Sequence, residues 1–200
     1  LAVALLGGML AFYRVHLIRN SLDSESLSVP ISAAWMYVLL LPAGWFLYDA
    51  LCRFGPRGGA FALLGATLVL GLCYGTSQLF GGRGAFMQVG VMLGTLMAAN
   101  VWRVIIPSQK ALVAAKLAGG APDPALGARA KQRSVHNNYL TLPVLFLMLS
   151  NHYPLVFATR YNWIIAALVF LMGVTIRHWF NTRHARGGNP HWTWGVTVVL

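Results

Sequence analysis

The chain has 200 residues, of which 58% are hydrophobic and only 10% charged, against roughly 25% charged in a soluble domain. Fifteen Lys and Arg face four acids (Asp23, Glu25, Asp49 and Asp123) for a net charge of +11. The basic residues fall between long apolar runs rather than on one continuous polar face, which excludes a nucleic-acid binder and fits loops lying against anionic lipid.

A membrane span needs roughly 20 apolar residues, and about seven such runs are predicted, near 1–18, 32–52, 60–80, 84–106, 138–158, 162–180 and 192–200. Pro42 lies inside the second run, and Pro143 and Pro154 lie in the fifth as expected kinks. Neighbouring helices can satisfy the carbonyls that a proline frees. The fold class expected is therefore all-α, a polytopic transmembrane helix bundle forming a single domain over 1–200. The first and last runs begin and stop abruptly at Leu1 and Leu200, so a longer polypeptide is expected.

Charge orients the bundle. Arg53, Arg57, Arg103, Lys110, Lys116, Arg129, Lys131, Arg133, Arg177, Arg183 and Arg186 fall on one side, and Arg14, Arg19, Arg83 and Arg160 on the other. By the positive-inside rule the richer side is cytoplasmic. This places the protein in a bacterial inner membrane, with whatever follows Leu200 in the periplasm. Gly71 and Gly75 on the third run, and Gly90 and Gly94 on the fourth, have the spacing that lets helix backbones approach. The intervening Gly81 and Gly82 predict a tight antiparallel hairpin. The stretch 117–127 reads as a loop from its Gly and Pro content.

Ionisable and polar groups inside a membrane are functional candidates by default. His16, His136, His152 and His178 lie near run ends. They allow two readings: ligands of b-type haem, paired His16 with His152 and His136 with His178, or interfacial histidines at headgroup level. His136 and His152 are 16 residues apart, about 24 Å along one helix, too far to share an iron. His184 and His191 read as solvated loop residues. His136, Asn137 and Asn138 form the densest polar cluster at a membrane boundary; they could cap a helix or line a ligand or quinone pocket. Asn100 and Arg103 are three apart and share a helix face. Arg103 could snorkel to headgroups, or with the amides cradle a planar anionic heterocycle. Asp49 reads as a local salt bridge with Arg53 and Arg57. Cys52 and Cys73 form no Cys-x-x-Cys motif, so neither a disulfide framework, a zinc site nor covalent haem is expected within the chain.

The runs GWFLYDALCR (44–53), QLFGGRGAFMQVGVMLGTLMAANVWRVIIPSQK (78–110), APDPALGARAKQRSVHNNYLTLPVLFLMLSNHYP (121–154) and IRHWFNTRHA (176–185) resemble the bacterial membrane-anchored urate oxidases. The resemblance runs from about residue 5 to 200. It implies a membrane domain followed by a cytochrome c domain, so that haem c would lie only beyond Leu200. It also implies oxidation of urate to 5-hydroxyisourate with electrons leaving through the cytochrome. The positions that match are Arg83, Asn100, His136, Asn137, Asn138, Tyr139, His152 and His178. Two positions depart from the family pattern: Gln88 stands where a His is usual, and Arg19 with Asn20 replaces an Asp-Pro pair.

The function expected is thus the membrane domain of a cytochrome-linked urate oxidase, with the lipid bilayer and a cytochrome c as partners and nucleic acid excluded. The alternative is a non-catalytic, haem b-binding or quinone-interacting subunit of a larger respiratory or photosynthetic electron-transfer complex.

Overall fold

The computed structural model describes residues 31–185 and 188–200 apart from 57 and 81; the first predicted run, with His16, lies outside them. The described chain is all-helical. It comprises α1 (Ile31–Phe54), α2 (Gly59–Leu79), α3 (Gly82–Asn100), α4 (Ile106–Leu117), α5 (Pro124–Leu149), a short α6 (Pro154–Phe157), α7 (Asn162–His184) and α8 (Trp192–Val199). Among the described residues, three helices are long and apolar enough to cross a bilayer: Gly59–Gln78, Gly82–Leu117 and Asn162–His184. The protein is a membrane protein.

The core is built by α2, α3, α5 and α7. Cys73, Phe86, Val89, Leu93, Val144, Leu147, Ala166 and Phe170 bury one another there. A smaller cluster of Leu41, Phe80 and Ala85, covered by Val91 and Met92, seats α1 against α3. Thus α3 touches α1, α2 and α5, and α5 in turn joins α3 to α7. In the α5–α7 contact the Pro143 ring lies against Gly173: a Cβ at Gly173 would come within 2.8–2.9 Å of the ring carbons.

Two helices run further than their apolar patterns suggest. The fourth run was expected to end at 106, but α3 continues through one π turn, Val101–Ile105, directly into α4. Pro107 explains the turn. A proline lacks the N–H an α-helix needs and crowds the carbonyl four residues back. Widening the backbone by one residue, with Ile106 N–H bonded to the Val101 carbonyl, lets the helix pass the proline unbroken. The composite helix of 36 residues is about 54 Å long at 1.5 Å per residue, well beyond a hydrocarbon core of roughly 30 Å. The fifth helix was expected to begin at Asn138; it begins at Pro124. Asp123 caps it, its Oδ1 accepting the Ala125 N–H at 2.8 Å, and Pro124 occupies the first turn, where no N–H is needed. Arg129, Lys131 and Arg133, read as loop residues, therefore stand on a helix. At its far end α5 stops at Leu149, and Ser150–His152 form a 3-10 turn.

The glycine pairs divide. Gly90 lies against Met148 and Leu147, and Gly94 against Val144, so this pair brings α3 to α5, not to α2. A Cβ at Gly71 or Gly75 would meet nothing within 4 Å. The α2–α3 hairpin is tight, as its short link requires, but the glycines of α2 do not make it.

Candidate functional site

The C-terminal half of α1, the π turn after α3 and the Arg133–Asn137 stretch of α5 converge at one end of the bundle. Each contributes polar side chains. Arg133 is completely buried (0% exposed), and its Nη2 donates to Asp49 Oδ1 at 2.6 Å. The second carboxylate oxygen of Asp49 meets Arg53 Nε at 2.7 Å, with Arg53 half exposed. A buried guanidinium is tolerable only when paired and hydrogen-bonded, and Asp49 does the pairing. Arg133 Nε and Nη1 are buried without a hydrogen-bond partner.

Tyr48 is the hub. The Arg133 guanidinium lies over its ring, 4.8 Å from the centroid, a cation on the negative face of the π system. Its hydroxyl sits between two partners, Asn100 Nδ2 at 3.2 Å and His136 Nδ1 at 2.7 Å. Asn100, itself 0% exposed, also donates to Asn137 Oδ1 at 2.9 Å, and Asn137 Nδ2 donates to the Met97 carbonyl at 3.0 Å. Phe61 stacks on the His136 ring with centroids 4.9 Å apart, and Cys52 Sγ lies 3.8 Å from His136 Nδ1. Asn100 is the last residue of α3 before the π turn, and π turns frequently mark functional sites.

Of the residues expected to form a binding site, Asn100, His136 and Asn137 are brought together. Arg103 is exposed and covers Trp45, 5.8 Å from its ring. Asn138 lies outside this network, its Oδ1 buried without a partner. Arg83 is at the opposite end of the bundle, over Phe157. Gln88 is 1% exposed on α3, and neither amide atom has a partner. His184 is exposed and bonds the Phe180 carbonyl.

The histidines separate. His178 Nδ1 meets the Tyr139 hydroxyl at 2.9 Å and its ring faces Trp192, whereas His136 faces α1 and α2. His152 is exposed in the 3-10 turn. His136 Nδ1 faces the Tyr48 hydroxyl at 2.7 Å and the Cys52 thiol at 3.8 Å, so His136 and His178 are engaged with different partners. Among the described residues, no three His, Cys, Asp or Glu side chains converge on a metal position.

Sequence reading missed Tyr48, Asp49 and Arg133 as a unit. One signal was available: Arg133, His136 and Asn137 have helical i, i+3, i+4 spacing, visible once Asp123-Pro124 is taken as a helix start. Asp49 does pair with Arg53 as expected; its decisive partner, Arg133, is 84 residues away. The arrangement offers, in a dry setting, spare guanidinium donors and one spare amide acceptor. That suits a planar anion that both accepts and donates hydrogen bonds.

No curated protein and no solved structure matches the chain. A family model described as urate oxidase N-terminal matches residues 4–200. The chain belongs to the urate oxidase N-terminal family.

Proposed function

We propose that this chain is the membrane domain of a cytochrome-linked urate oxidase, and that the cluster around Tyr48 takes the urate anion. The observation that carries the reading is Arg133: a fully buried guanidinium with Nε and Nη1 unpaired, in a member of the urate oxidase N-terminal family. Leaving such donors empty costs several kcal/mol unless a ligand accepts from them, on the order of 1–3 per group. Urate supplies carbonyl oxygens and negative charge for Arg133 and ring N–H groups for Asn100.

The overall reaction balances as urate anion plus water to 5-hydroxyisourate, one proton and two electrons. A c-type cytochrome takes the electrons one at a time. The residues of this chain bind and orient the purine: Arg133 holds the charged edge, Tyr48 carries the guanidinium on its ring, and Asp49 fixes the fork. The basic end of the bundle, where the cluster lies, faces the cytoplasm of a bacterial inner membrane by the positive-inside rule. The c-type cytochrome would then take the electrons on the far side of the bilayer.

Membranes bearing the full-length protein and a c-type cytochrome test the reading. Urate should reduce the cytochrome, and Arg133→Met should abolish the reduction while the protein remains in the membrane. Silence with urate in the presence of intact protein would end it.

A further inference from the structure

The amide orientation of Asn100 can be deduced. Oxygen and nitrogen of an amide are told apart only by their partners. The series begins at an unambiguous acceptor, the Met97 carbonyl. Only an NH2 group can face it, so Asn137 Nδ2 lies there at 3.0 Å. Asn137 Oδ1 then faces Asn100 at 2.9 Å and must meet Asn100 Nδ2. The same nitrogen reaches the Tyr48 hydroxyl at 3.2 Å. A flipped Asn100 would set two carbonyl oxygens against each other. Asn100 Oδ1 is therefore the atom left over, buried with no hydrogen-bond partner on a residue that is 0% exposed.

A buried acceptor with its orientation locked by three other groups asks for a donor. Arg133 does not supply one, since its free nitrogens also lack partners. An oxidised quinone cannot supply one either, because its oxygens only accept; only its reduced quinol carries O–H donors. We propose that Asn100 Oδ1 accepts a ring N–H of the substrate, making Asn100 the specificity-determining residue that restricts this site to cyclic lactams. The inference rests on the Tyr48 cluster being the urate site. It adds which atom reads the substrate, and it sets the class apart from quinones by a required donor.

Binding to the full-length protein in lipid nanodiscs tests this, using urate, its four mono-N-methyl derivatives, uracil as an unrelated lactam and a short-chain benzoquinone. Methylation at one ring nitrogen should weaken binding about tenfold to a hundredfold, the range for leaving a buried acceptor unpaired. The benzoquinone should not compete with urate. Asn100→Val should erase the difference between urate and the sensitive derivative. The ligand series on the unaltered protein stands without that variant if it does not fold. Equal affinity for all four derivatives, competition by the benzoquinone, or no binding of any lactam overturns the proposal. The two readings can fail separately. If urate drives cytochrome reduction while the methyl series is flat, the oxidase reading stands and the role of Asn100 falls. If uracil binds in competition with an N–H-bearing lactam and loses affinity on N-methylation while urate does not bind, Asn100 stands and urate falls.

Discussion

Removing the Asp49 carboxylate strands the Arg133 guanidinium. The structure allows the cost to be apportioned between the two ion pairs that Asp49 makes. Arg53 is half exposed, at 53% of its side-chain surface, and sits one helical turn away; a pair of this kind contributes about 0–1 kcal/mol. Arg133 is 0% exposed and makes its 2.6 Å contact from another helix; breaking such a pair by deleting one partner costs about 3–5 kcal/mol, because the remaining charge has no water to turn to. Asp49→Ala should therefore be strongly destabilising and Arg53→Ala nearly neutral. Arg133→Met should be milder than Asp49→Ala, and Asp49→Leu combined with Arg133→Met should recover most of the loss, since an apolar replacement of the whole pair removes the stranded charge. Thermal unfolding of the four variants in one detergent is the assay. An Asp49→Ala no worse than Arg53→Ala would refute the buried pair.

Gly173→Ala should destabilise by roughly 1–3 kcal/mol through overpacking, because its Cβ meets the Pro143 ring, whereas Gly71→Ala and Gly75→Ala should be neutral; the same unfolding measurement compares them. Histidine-selective 15N spectra should show His136 held in a single tautomer by the 2.7 Å contact of Nδ1 with the Tyr48 hydroxyl, since the ring tautomer follows its partner. Tyr48→Phe should release that constraint and mix the tautomers. Arg133→Lys keeps the charge but loses the planar fork, and urate affinity should fall about tenfold or more, measured by binding to the full-length protein.

The bundle was legible because lipid imposes a simple rule: every backbone polar group must be satisfied within a helix. Long apolar runs interrupted by Gly, Pro and basic clusters then read directly as helices. What escaped were boundaries set by single residues rather than by apolar content. Asp123 and Pro124 start α5 in a segment whose Gly, Pro and charge content reads as loop, and Pro107, which looks like a stop, is absorbed by the π turn. The first event moves Arg133 onto a helix, and the second carries α3 on into α4 without a break. Asn100, His136 and Asn137 were visible as polar groups at membrane depth. Tyr48, which nothing in the sequence singles out, gained its role only when α1, α3 and α5 met. Of the two glycine pairs read from spacing, Gly90 and Gly94 lie against α5, whereas Gly71 and Gly75 meet nothing within 4 Å.

The most direct test is urate-dependent reduction of a c-type cytochrome by membranes carrying the full-length protein, run beside the Arg133→Met variant at matched protein level. Reduction by the unaltered protein and its loss in Arg133→Met, with the variant still folded, is the expected result. Reduction that survives Arg133→Met undiminished, or none from intact protein supplied with urate and cytochrome, would contradict a buried guanidinium as the anchor of the substrate anion.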